Sequence, residues 1–117
     1  MKALIIDDEV DICYLLGGLL LKKNMQSNYA NSIAEAKLAL ENSIPEIIFL
    51  DNHLPDGKGV DFAQHIKKNY PGARLVMITA FDTATDRKLA FSQGVDYFIA
   101  KPFTKEKIYQ TLEHLQN

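Results

Sequence analysis

The chain has 117 residues, the span of a single domain. Hydrophobic residues make up 47% of it, enough for a full core and too many for a disordered segment. Its 13 basic and 15 acidic residues leave a formal charge of -2 with no basic stripe, which argues against direct nucleic-acid binding.

Strand and helix signals alternate from end to end. Lys2–Ile6 reads as a first strand, followed by a helix over about Val10–Lys23. On that helix Ile12, Leu16, Leu19 and Leu20 form the expected core face, and Asp11, Tyr14, Leu15 and Gly18 the other. Gly17 and Gly18 each cost ~1 kcal/mol against alanine in a helix interior, with no evident reason in the sequence. A weak strand follows at Ser27–Ala30. Ser32 then caps a second helix running to about Glu41, with Glu35 completing a capping box. The apolar run ending at Leu50 gives a third strand, Glu46–Leu50, and a third helix spans about Val60–Asn69 before Tyr70-Pro71-Gly72 ends it. A fourth strand covers Arg74–Thr79, a fourth helix about Thr83–Gln93 with Gly94 past its end, a fifth strand Asp96–Ala100, and a last helix starts near Thr104 and reaches about Leu115.

This alternation predicts an α/β fold of the flavodoxin-like (βα)5 kind, a single domain over residues 1–117: a parallel five-stranded sheet in order 2-1-3-4-5, covered by helices on both faces as a three-layer sandwich. Continuous apolar strands such as Ile47-Ile48-Phe49-Leu50 fit burial on both faces. The single cysteine, Cys13, cannot form an internal disulfide, which fits a reducing cytoplasm. The N-terminus enters a strand without the apolar run of a secretory leader, and the longest apolar stretch, Ile12–Leu21, is too short for a bilayer. A cytoplasmic chain with no membrane contact is expected.

Asp7-Asp8-Glu9, Asp51, Thr79 and Lys101-Pro102 each stand at the carboxyl end of a predicted strand, the edge where open parallel sheets bind ligands. Three crowded carboxylates cannot all stay ionised without protons or a cation to relieve them. A hard divalent ion with oxygen ligands, Mg²⁺, is the natural partner. A carboxylate can act as a nucleophile and form an aspartyl phosphate, and Asp51, at the middle of the edge, is best placed. Lys101 supplies a point charge and Thr79 a neutral donor for phosphoryl oxygens. Any one of these residues alone would read as a turn cap, a strand-end hydroxyl or a solvated amine. Together they point to metal-assisted phosphoryl chemistry.

With Asp51-Asn52-His53-Leu54-Pro55-Asp56-Gly57-Lys58-Gly59, Thr79-Ala80 and Lys101-Pro102-Phe103 added to the opening Asp7-Asp8-Glu9, the chain resembles the receiver domain of two-component response regulators, in order and over its whole length. The resemblance implies a phosphorylation-activated switch of a two-component phosphorelay. Asp51 would accept a phosphoryl group from a histidine kinase or a histidine phosphotransfer protein. Asp8 would bind Mg²⁺ directly, Asp7 largely through water, and the backbone carbonyl of His53 would complete the shell. Thr79 and Lys101 would contact the phosphoryl group, and Phe98 would change rotamer on activation. Pro55, Gly59 and Pro102 would shape the loops, with the Lys101-Pro102 peptide cis. Side chains two beyond the aspartate and two beyond the threonine influence dephosphorylation in that family; here they are His53 and Phe81. The exposed helix-one residues Asp11, Tyr14, Leu15 and Gly18 would dock the phosphodonor. Output would run through the face of helix four, strand five and helix five, to an output domain or protein partner and with phosphorylation-dependent homodimers. On this reading the chain is no enzyme beyond its own phosphorylation and dephosphorylation.

Three rivals stand beside it. A flavodoxin-like binding module would need a phosphate-cradling loop after strand one, where Asp7-Asp8-Glu9 would repel a phosphate without a metal, so two remain. Haloacid-dehalogenase-like phosphatases also combine an aspartate nucleophile, a hydroxyl, a lysine and Mg²⁺, but place a second aspartate where this chain has His53, and no cap insertion is present. A phosphorylation-independent receiver scaffold is the other, and the intact acids, threonine and lysine argue against it.

Overall fold

A computed structural model describes residues 1–116. In chain order the elements are β1 (Lys2–Ile6), α1 (Val10–Leu21), β2 (Gln26–Ala30), α2 (Ile33–Asn42), β3 (Ile47–Leu50), β4 (His53–Leu54), β5 (Gly57–Lys58), α3 (Gly59–Asn69), β6 (Arg74–Thr79), α4 (Ala84–Ser92), β7 (Tyr97–Ala100) and α5 (Lys105–Gln116). The main sheet has five strands in the order β2-β1-β3-β6-β7, all parallel. This is the predicted order 2-1-3-4-5. The short antiparallel hairpin β4-β5, which the sequence reading treated as loop, interrupts only the numbering.

Alternation along the strands divides the core in two. Leu4, Ile6, Ile48, Leu50, Leu75, Met77 and Phe98 face α2, α3 and α4. Ala3, Ile5, Ile47, Phe49, Val76, Ile78 and Ile99 face α1 and α5. Both faces of β3 are thus covered, and all its residues are buried. Each large apolar side chain removed from water here contributes roughly 1.5–3 kcal/mol. On α1 the buried residues are Cys13, Leu16 and Leu20, with Ile12 and Leu19 only half-buried. Cys13 therefore takes the central core position that apolar ranking gave to its neighbours. Gly17 has its own reason: a Cβ there would meet Ser27 Oγ at 3.2 Å, so the missing methyl lets α1 lie close on β2. At Gly18 a Cβ would meet nothing within 4 Å. Among the described residues no helix is long and apolar enough to cross a membrane.

Helix ends carry the loops that matter for function. Ser32 Oγ accepts from the Glu35 amide at 3.1 Å, but the Glu35 carboxylate accepts from the Asn31 amide at 3.3 Å, one residue outside the usual capping-box partner. The remaining first-turn donors of α2, the Ile33 and Ala34 amides, reach the Asp56 carboxylate at 2.8 and 3.0 Å. The loop beyond β3 is thereby tied to a helix beside it, and the Asp56 carboxyl is held below its ordinary range by those two amides. Thr83 caps α4 by accepting from the Asp86 amide at 3.0 Å.

At the opposite end of the sheet Lys67 forms a staple. Its ammonium donates to the Ala73 carbonyl at 2.9 Å and pairs with Asp96 at 2.7 Å, while Asp96 also accepts the Leu75 amide at 2.8 Å. Gly94, at φ +102°, comes just after Gln93, the C-cap of α4, and a Cβ there would strike Lys67 Cγ at 2.7 Å. The C-terminal end of α4 is locked against α3 at this point.

Candidate functional site

The parallel register brings the strand ends level. Ile6 lies beside both Ala30 and Leu50, and Thr79 beside Ala100. The first residue beyond each strand is then fixed by the backbone: the Asp7 amide donates to the Ala30 carbonyl at 3.0 Å, Asp51 to Ile6 at 2.9 Å and Lys101 to Thr79 at 2.8 Å. The sheet itself delivers Asp7, Asp51 and Lys101 to one spot.

Asp7 and Asp51 are 2% and 6% exposed, and Asp8 lies out in solvent. Asp7, Asp8 and Asp51 each offer a carboxylate oxygen, and these atoms all lie within 4.8 Å of one another. An all-oxygen, anionic set of this kind suits a hard divalent cation such as Mg²⁺. Burial, then the nearby Asp7 charge, pushes the Asp51 carboxyl from its ordinary 3.8 up to about 6, with Lys101 acting in the opposite direction. At that value Asp51 is still mostly ionised at neutral pH.

Lys101 stands among the acids. Its Nζ is 2.9 Å from Asp7 Oδ2, 3.5 Å from Glu9 Oε1 and 3.6 Å from Asp51 Oδ2. Burial opposes its charge, but the hydrogen bond to Asp7 and the Asp51 and Glu9 carboxylates outweigh that and raise its pKa. The Lys101-Pro102 peptide is cis, as expected.

Local bonds hold the acids in place. Asp7 Oδ1 accepts the Glu9 amide at 2.9 Å, and the Asp7 carbonyl accepts Asn31 Nδ2 at 2.8 Å and Cys13 Sγ at 3.5 Å. Burial raises the Cys13 thiol to about 11, so it is a neutral donor here rather than a thiolate ligand. Asp51 Oδ1 accepts the Asn52 amide at 2.9 Å, while Asn52 Oδ1 accepts the Val60 amide at 2.9 Å. Gly59 donates to the Asn52 carbonyl at 2.8 Å. A Cβ on Gly59 would lie 2.2 Å from the Asp51 carbonyl oxygen, so glycine is required by close approach rather than by turn conformation. Pro55 is exposed at the tip of the hairpin β4-β5, beside Asp56.

The remaining predicted residues ring this centre. Thr79 is 1% exposed and its Oγ1 accepts the Phe81 amide at 3.2 Å. Phe98, 5% exposed, is already buried, and with Asn52, Met77, Thr79, Leu89 and Ala90 it lines a void of about 10 Å³. His53 and Phe81 are both exposed and in ring contact, with centroids 4.1 Å apart. Asp11, Tyr14, Leu15 and Gly18 are all exposed on α1, and Tyr14 meets Tyr29 edge-on at 6.1 Å. Ile12, Leu15, Ala80, Lys101, Pro102 and Phe103 line a groove of about 370 Å³. His65 and His114 are exposed, stacked on Phe62 and set against Tyr97.

Sequence reasoning passed over four supporting residues: Asn31, Asn52, Asp56 and Arg87. Asn and Asp beside turns are ordinary, and only the fold shows that these hold Asp7, the Asp51 loop and the start of α2. Arg87, on α4, pairs with Asp82 and lies over the Phe98 ring, 4.9 Å from its centroid.

A family model described as the response regulator receiver domain matches residues 3–113. The response regulator protein PilR of Pseudomonas aeruginosa is 35% identical over 101 residues, 86% of this chain and 23% of that protein. A two-component response regulator from Clostridium difficile has the same fold at a TM-score of 0.95 and 27% identity, over 99% of this chain and 95% of that one. The beryllofluoride-activated receiver domain dimer of NtrC4 matches at 0.92 and 30% identity, over 97% and 94% of the two chains. The chain spans 23% of the first of its curated relatives and 52% of the second.

Proposed function

This chain belongs to the response regulator receiver family of two-component systems, and we propose that it is a switch in which Asp51 accepts a phosphoryl group from a phosphohistidine. The donor is a histidine kinase or a histidine phosphotransfer protein. One observation carries the reading: the Asp7, Asp8 and Asp51 oxygens gather within 4.8 Å, with the Lys101 ammonium bonded into the same cluster.

An ionised Asp51 oxygen attacks phosphorus, the phosphorus–nitrogen bond breaks, and its electron pair leaves on the donor imidazole. Asp7, Asp8 and Asp51, with the His53 backbone carbonyl, would hold Mg²⁺, which offsets negative charge on the phosphoryl oxygens when bound. Lys101 turns its ammonium to the same oxygens, and the Thr79 hydroxyl donates to one of them. Drawing Thr79 inward moves the loop that follows it and biases Phe98 and the α4-β7-α5 face, a shift in population rather than a new fold. Taking such a ratio from 1:99 to 99:1 needs roughly 5.5 kcal/mol of differential stabilisation. The exposed face of α1, beside the Leu15 groove, receives the donor. Output passes to a further domain or partner, or through a homodimer of the phosphorylated form; the activated NtrC4 receiver, a dimer, supports the last of these. The chain turns over no separate substrate and works in the cytoplasm.

Intact mass after incubation with acetyl phosphate tests this, with and without Mg²⁺, for the native chain and Asp51→Asn. A phosphoryl adduct requiring both Mg²⁺ and Asp51 is expected. A folded chain that takes no adduct under any condition would sink the reading in favour of a scaffold.

A further inference from the structure

Arg87 joins two parts of the molecule that the proposed switch moves. Its guanidinium makes a two-pronged contact with Asp82, through Nε and through Nη2, the latter 3.1 Å from Oδ2. That pairing holds the Asp82 carboxyl below its ordinary range. The same guanidinium lies over the Phe98 ring at 4.9 Å from its centroid, a cation–π geometry. Asp82 follows Phe81, whose amide bonds the Thr79 hydroxyl. A guanidinium fixed by a fork of two bonds presents its flat face in one direction, which a lysine cannot do.

We infer that Arg87 is a latch: Asp82 aims its guanidinium over the Phe98 ring, keeping Phe98 buried before a phosphoryl group arrives and tying it to the loop behind Thr79. Arg87 is a positioning residue, since it touches no reacting atom. The inference rests on the phosphorylation switch proposed above and names a device that sets its resting ratio. The two side chains are 46% and 34% exposed and lie outside the buried core clusters, so their loss leaves the core intact.

The test compares the native chain with Arg87→Ala, Asp82→Asn, the double variant and Arg87→Lys. Two readouts are taken: nuclear Overhauser contacts from the Phe98 ring to the Ala90 methyl, and the rate of adduct formation from acetyl phosphate with Mg²⁺. In Arg87→Ala the ring contacts weaken and the adduct forms about fivefold more slowly, the scale of one exposed cation–π contact. Asp82→Asn acts in the same direction, the double variant is no slower than Arg87→Ala, and Arg87→Lys, which keeps the charge but not the fork, recovers little of the loss. Unchanged ring contacts, an unchanged rate, or losses that add in the double variant would each overturn the latch. If the native chain takes no phosphoryl group at all, the switch reading falls while the ring contacts still decide whether Arg87 holds Phe98.

Discussion

The Lys101 ammonium is bonded to Asp7, 2.9 Å from Oδ2, and stands farther from Asp51, at 3.6 Å. The amine proposed to meet the phosphoryl group is thus held by a neighbouring acid, within 3.6 Å of Asp51. Their side chains are 10% and 3% exposed, so the pair is shielded from solvent. Removing one partner of such a pair leaves an uncompensated buried charge. Lys101→Met is expected to cost about 3 kcal/mol without metal, with Mg²⁺ restoring much of it. Urea denaturation with and without Mg²⁺ checks both halves, and an unmoved midpoint would refute the pairing.

Asp51 sets a pH dependence of defined sign. Its carboxyl is raised from 3.8 to about 6 in the fold, so the native state binds more protons than the unfolded one between those values. Stability contributed by the protonated form is therefore present at the acid side of that window and is lost as pH rises through it. At about 1.4 kcal/mol per unit, the loss is at most about 3 kcal/mol. Asp51→Asn removes this fall, and so does saturating Mg²⁺. Thermal midpoints measured in chelator across that window decide it; a native-chain profile parallel to that of Asp51→Asn contradicts the assignment.

The contact between the His53 and Phe81 rings joins the segment that follows Asp51 to the loop after β6. We propose that the two rings would together cover an acyl phosphate on Asp51 and limit the water that reaches it. His53→Ala and Phe81→Ala should each speed decay of the Asp51 adduct severalfold, and the double variant should decay no faster than the quicker single one, because half a cover is no cover. Decay followed by intact mass would dispose of the idea if both single variants kept the native lifetime.

Gly18 and Gly17 separate stability from docking. A methyl at position 18 meets nothing within 4 Å, so Gly18→Ala is expected to stabilise the chain by ~0.5–1 kcal/mol. At position 17 the methyl presses on Ser27 Oγ at 3.2 Å, and the gain shrinks or reverses. If α1 docks the phosphodonor, Gly18→Ala also slows transfer from the protein donor while leaving acetyl phosphate labelling unchanged. Equal rates from both donors would remove Gly18 from the docking face.

Much of this was legible in the chain because strand ends and function coincide. Apolar runs closed by Asp7, Asp51, Thr79 and Lys101 gave four of the five main strands and the candidate site together, Ser27–Ala30 gave the fifth only weakly, and topology rules for parallel sheets did the rest. What stayed hidden depends on long-range geometry. Asp56 reads locally as part of a Pro-Asp-Gly turn, yet its carboxylate serves a helix more than twenty positions earlier in the chain. Cys13 reads in the sequence only as a lone thiol, and the phase of α1 turns it into the core beside Leu16 and Leu20 while Ile12 and Leu19 stay half-buried. Gly59 reads as a turn former, and only the proximity of the Asp51 carbonyl shows the real constraint.

The Lys67 staple gives α4 a fulcrum. One end of that helix is pinned through Gly94 and Asp96, which bonds Lys67 and the Leu75 amide. The other hangs from Thr83, Asp82 and the loop that answers to Thr79. If Asp51 is phosphorylated, a small displacement beside it would on this geometry be geared up along the helix as a swing about a fixed hinge, rather than passed on as a slide. Amide exchange that is slow from 90 to 96 and quickened by phosphorylation only around 82 to 87 would be the mark of such a lever; uniform quickening along α4 would mean the helix comes loose as a whole.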